Sequence, residues 1–139
     1  MTYLFDTDVF SELAKNRPDH AVAAWARSTR GSGHYLSVIT VGEIGRGVEK
    51  LRRRGDFAQA DYVTEKTERV EAKFRDRILP VTIEVARKWG AILPKRTVGD
   101  ADGLIAATAL VHGLTVATRN TKDFRELGVA MINPFEHSA

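Results

Sequence analysis

Tyr35-Leu36-Ser37-Val38-Ile39-Thr40-Val41-Gly42-Glu43-Ile44 changes its period midway. Residues 35–39 are rich in aromatic and β-branched side chains, the composition of a strand. From Thr40 onward Val41, Ile44, Val48 and Leu51 recur at helical spacing, until Arg52-Arg53-Arg54 and Gly55 stop the helix. The same switch recurs on both sides. Tyr3-Leu4-Phe5 is a short apolar run ending at Asp6, and residues 9–15 then take a helical pattern. A second helix follows Pro18, with Asp19 in its first turn and Val22 and Trp25 on one face, and Gly31-Ser32-Gly33 breaks it.

Downstream, residues 56–77 predict one long charged amphipathic helix on Val63, Thr67, Val70 and Phe74. Ile78-Leu79 is a third strand. Val85, Ala86, Trp89, Ile92 and Leu93 share a face of a further helix that Pro94 ends. Residues 104–111 are apolar all round, as in a helix packed centrally on a sheet, and His112-Gly113 closes it. Residues 115–118 and 129–132 give strands four and five. Strands separated by helices pair in parallel, because a parallel connection needs a crossover. The expectation is an α/β fold: one three-layer α/β/α domain over residues 1–139, built on a central, mostly parallel five-stranded sheet.

Composition narrows the chemistry. The 139 residues hold 43% hydrophobic and 28% charged side chains, an ordinary globule with room for one domain. No cysteine is present, which excludes disulfides, a thiol nucleophile and thiolate metal sites. The N-terminus has no basic, apolar leader pattern, and the apolar run at 104–111 is far short of a membrane span, so a soluble, cytoplasmic protein is expected. The net charge of +3 is modest, but Arg46, Lys50, Arg52, Arg53 and Arg54 cluster, as do Lys95 and Arg96. That permits a polyanionic partner.

In open parallel sheets ligands bind outside the carboxyl ends of the strands. The polar residues that follow the strands are largely acidic: Asp6 and Asp8 after strand one, Glu43 after strand two, and Asn120 and Asp123 after strand four. Asp100 and Asp102 open the apolar helix. Carboxylates converging there would raise one another's pKa unless a cation neutralised them. Oxygen-only ligands suit Mg²⁺ or Mn²⁺, whereas His20, His34, His112 and His137 show no zinc-ligand spacing. Such a site performs phosphodiester or phosphomonoester hydrolysis. Each acid also has a structural reading. Asp6, Asp8, Asp100 or Asp102 could cap a helix, Asp123 could favour a helix N-terminus, and Thr40 with Glu43 could form a capping box. Arg52-Arg53-Arg54 could complement its helix dipole, while Arg46, three residues after Glu43, could meet a phosphate.

The chain resembles PIN-domain nucleases, in particular toxins of the VapC and FitB type from bacterial toxin–antitoxin pairs. The likeness rests on residues 4–9 with Ser11-Glu12, on residues 36–43 with Gly47-Val48, on residues 102–107, and on Thr118-Arg119-Asn120, with Asn133-Pro134-Phe135 resembling the closing motif. It implies Mg²⁺-dependent RNA cleavage, with Mn²⁺ as a substitute, a VapB-like antitoxin as partner, and a homodimer. By motif position it makes Asp6, Glu43 and Asp102 the metal-binding acids. Asn120 stands where many members carry Asp, with Asp123 three residues later, and Asp8 stands where Asn is common. Two alternatives accompany this reading. Residues 3–8 also resemble the first motif of haloacid-dehalogenase-type phosphatases, with Asp6 as nucleophile. A non-catalytic PIN module binding RNA or protein is the other.

Overall fold

The computed structural model describes residues 1–92 and 98–138. Among the described residues, five short strands, β1 (Tyr3–Phe5), β2 (His34–Ser37), β3 (Ile78–Leu79), β4 (Thr115–Ala117) and β5 (Met131–Ile132), form one sheet in the order β3-β2-β1-β4-β5. Every pairing among them is parallel, so the sheet is parallel throughout rather than mostly so. Leu4 on the central strand lies opposite Tyr35 on one side and Val116 on the other. The helices are α1 (Thr7–Ala14), α2 (His20–Ser28), α3 (Val38–Arg53), α4 (Phe57–Lys73), α5 (Ile83–Ala91), α6 (Asp100–His112) and α7 (Thr121–Glu126).

The two-residue alternation of β1 sorts the core into two layers. Tyr3 and Phe5 point to one face, where Val9 and Phe10 of α1, Val22 and Trp25 of α2, and Phe74 cover them. Leu4 points to the other, beneath Ile105, Ala106 and Ala109 of α6 and Phe124 of α7. Trp25 meets Tyr3 edge-on at 5.0 Å and Phe5 at 5.4 Å. Burying side chains of this size contributes roughly 1.5–3 kcal/mol each. Gly113, at φ 67°, ends α6 in the left-handed conformation that a side chain resists.

Several boundaries differ from the sequence reading, each for a local reason. Strand two stops at Ser37, because the Ser37 Oγ accepts from the Ile39 backbone N–H at 3.0 Å and caps α3. Val38 and Ile39 are therefore helical, Thr40 is no cap, the Thr40–Glu43 capping box does not form, and Glu43 falls in the second turn of α3. The helix over 56–77 ends at Lys73; Phe74 turns inward to the core, and Arg75–Arg77 make a 3-10 turn into β3. α6 begins at Asp100, one turn earlier than its apolar run. α5 buries Val85, but Ala86 is exposed and Trp89 is 39% exposed. Leu93, Pro94, Lys95 and Arg96 lie outside the described residues. Among the described residues, no helix is long and apolar enough to cross a membrane.

Candidate functional site

The carboxyl ends of β1 and β4 are neighbours, and they carry the most buried acid. Asp6 follows β1, is 4% exposed, and caps α1 by accepting from the Val9 backbone N–H at 2.9 Å. The Thr118 hydroxyl, at the end of β4, bonds the same carboxylate. Burial dominates these favourable bonds and lifts the Asp6 pKa to about 6, with the charges of Asp8 and Asp102 adding to the rise. Capping and a role at a site are compatible here.

Asp102 faces this group from the first turn of α6. Its pKa also rises to about 6, first through burial and then through the charges of Glu43, Asp8 and Asp123. Neither Asp100 nor Asp102 caps α6, since Gly99 holds that position and no side chain bonds there. Carboxylates in the first turn of α1, α6 and α7 meet the positive end of each helix, which favours their charged forms. Burial and mutual repulsion still win at Asp6 and Asp102.

Glu43 reaches the group from α3. It is exposed, and its carboxylate accepts a hydrogen bond from the Thr7 hydroxyl. Asn120 precedes α7 without capping it; its Nδ2 donates to Asp123 Oδ2 at 2.8 Å, and its backbone N–H donates to Thr118 Oγ1 at 2.9 Å. Asp8 is exposed beside the cluster and acts on both Asp6 and Asp102. Arg46, Lys50 and Glu43 line one wall of a groove of about 590 Å³ between α3 and α6, with Asp100 and Leu104 opposite.

The acids named from the sequence thus sense one another across strand and helix ends. They do not form a finished cage. Among the described residues, no three His, Asp or Glu side chains stand close enough to hold a metal ion as they are. Arg52, Arg53 and Arg54 pair with Asp61, Glu49 and Asp56 on the surface, which fits the solvated helix end. The contacts of three hydroxyls, Thr7, Thr40 and Thr118, escaped the sequence reading, which gave only Thr40 a part, as a cap. Their signal was adjacency, since Thr7 lies between Asp6 and Asp8, and Thr118 stands two residues before Asn120.

The chain is thus an α/β domain with an all-parallel sheet and acidic side chains at the carboxyl ends of its strands. The chain belongs to the PIN-domain family, whose profile matches residues 3–130. It is 36% identical to the VapC ribonuclease Y4jK of Sinorhizobium fredii over 96% of this chain and 97% of that one. It is 38% identical to the toxin FitB of Neisseria gonorrhoeae over 95% and 97%. The crystal structure of FitAcB from Neisseria gonorrhoeae superposes with a TM-score of 0.82 at 38% identity, covering 96% of this chain and 99% of that one. FitAB bound to a DNA fragment gives 0.83 at 36%, covering 99% and 98%. Membership in this family displaces the phosphatase reading of Asp6.

Proposed function

We propose that this protein is a divalent-metal-dependent endoribonuclease, the toxin of a type II toxin–antitoxin pair. On this reading residues 1–139 are a single nuclease domain that works in the cytoplasm as a homodimer and is held in check by a VapB-like antitoxin. The relatives named ribonuclease and toxin support the activity, and the VapBC-5 toxin–antitoxin system of Mycobacterium tuberculosis, 26% identical to this chain with a TM-score of 0.66, supports the partner. The observation that carries the site is the pair Asp6 and Asp102, both raised to about 6 among further carboxylates. A cluster so short of positive charge is relieved by a cation.

The donors fit a hard ion. Asp6, Glu43 and Asp102 offer carboxylate oxygens, and Asn120 or Asp123 offers a fourth, a set that suits Mg²⁺ or Mn²⁺ and not a thiophilic metal. Glu43 and Asp123 would have to close on Asp6 and Asp102. When bound, the ion lowers the pKa of the water that attacks and offsets charge gathering on the phosphate. Thr118 holds Asp6 in place, and Asn120 ties down Asp123. Asp8 adds negative charge at the rim. Arg46 and Lys50, in the groove beside Glu43, present cations to an RNA backbone.

Asp6→Asn and Asp102→Asn test this directly. Each removes a charge while leaving the side-chain shape, and Asn caps a helix about as well as Asp. Cleavage of RNA should fall about 100-fold or more, since the metal contributes several kcal/mol to the transition state. EDTA should stop cleavage and Mg²⁺ or Mn²⁺ restore it. Folded variants that cut within about tenfold of the parent would refute the assignment. A protein that shifts RNA in a salt-sensitive manner yet yields no cut product under any metal condition would instead be a binding module.

A further inference from the structure

Glu43 is the weakly anchored member of the acidic group. It is exposed on α3, and its three rotatable bonds leave it free to sweep the groove beside Arg46 unless something holds it. The hold comes from another element. Thr7 is the first residue of α1, directly after Asp6, whose backbone N–H is fixed to the Ala117 carbonyl at 3.0 Å. The Thr7 hydroxyl bonds the Glu43 carboxylate and stands 3.2 Å from the hydroxyl of Thr40, which is fully buried one turn before Glu43.

Counting protons orients this string. An ionised carboxylate only accepts, so Thr7 spends its one hydroxyl proton on Glu43, and Thr40 must donate to Thr7. A β-branched side chain has few χ1 choices, so Thr7 is a stiff arm. We propose that Thr7, oriented by Thr40, is a positioning residue that draws the Glu43 carboxylate from α3 toward the end of β1 and keeps it on the side of Asp102. This rests on the metal-site reading above. Its effect is to narrow the Glu43 rotamers before the ion arrives, so that binding has only the last approach to make. Thr7 itself contacts neither ion nor substrate in this role.

The test is Mn²⁺ binding, measured by calorimetry on the full chain, together with RNA cleavage. Thr7→Val keeps the shape and removes the hydroxyl; it should weaken Mn²⁺ binding about tenfold, the worth of one hydrogen bond to a charged group. Thr7→Ser, which keeps the hydroxyl, should stay within about threefold of the parent. In a Glu43→Ala background Thr7→Val should cost nothing further, because Thr7 acts only through Glu43. Thr40→Val gives an independent reading and should weaken Mn²⁺ binding in the same direction by a smaller factor. Parental Mn²⁺ affinity in Thr7→Val, or the same loss with Glu43 already removed, would overturn the proposal. Were Asp6→Asn and Asp102→Asn to bind Mn²⁺ like the parent, the metal-site reading itself would fall, and the two failures are thereby told apart.

Discussion

At residue scale the decisive pair is Asn120 and Asp123. The bond from Asn120 Nδ2 to Asp123 Oδ2 joins the two candidates for the fourth ligand, so a change at either is felt by the other. The charge on Asp123 is felt at Asp102, and the Asn120 amide keeps that carboxylate in place. Asn120→Asp would put a second carboxylate against Asp123 and replace the hydrogen bond with repulsion. Without metal the variant should lose about 1 kcal/mol of stability in urea unfolding. With Mn²⁺ the order reverses, because the added charge strengthens a hard-cation site. Asn120→Ala, which loses its own oxygen and its bond to Asp123, should weaken Mn²⁺ binding more than Asp123→Ala does. Weaker Mn²⁺ binding in Asn120→Asp than in the parent would place Asn120 outside the site.

At the scale of elements, the junction of β2 and α3 shows what one buried hydroxyl decides. Val38 and Ile39 are β-branched and by composition extend the strand. Ser37 overrules them by bonding the Ile39 N–H, and the helix begins there. Ser37→Ala should therefore lower stability by about 1 kcal/mol, read from the urea midpoint at unchanged slope. An unchanged midpoint would mean that α3 starts without its cap. The strands and the acids that follow them were legible from periodicity and from the rule that parallel sheets bind at their carboxyl ends; where a strand stops was not, as Val38 and Ile39 show. Nor were the contacts of Thr7, Thr40 and Thr118, because each joins elements far apart in the chain: Thr7 with Glu43, and Thr118 with Asp6. The split of residues 56–77 was equally hidden, since Phe74 leaves the helix to fill a core made by β1 and α1.

For the whole molecule, the acidic group sets how stability responds to pH and to metal. The pKa values of Asp6 and Asp102 lie near 6 in the folded protein, against an ordinary 3.8. The folded state therefore binds more protons than the unfolded one between those values, and the linkage slope is negative: these two groups make stability fall as pH rises from about 4 to about 6, and the whole penalty is present above that. A divalent ion binds the deprotonated form, so its benefit has the opposite profile. Mg²⁺ at a hundredfold excess over its Kd should add about 2.7 kcal/mol at neutral pH and raise Tm by several degrees. The shift should shrink as pH falls through 6 and vanish near the ordinary carboxylate range. In Asp6→Asn the metal-free protein should be more stable than the parent at neutral pH, by about 1–3 kcal/mol, because a desolvated charge is gone and the cap is kept. Melting curves across this pH range, with EDTA or with Mg²⁺, read both effects at once. A Tm shift with Mg²⁺ that is as large at pH 5 as at neutral pH would show that the ion binds away from Asp6 and Asp102, because competition with protons at those two carboxylates is what makes the shift depend on pH.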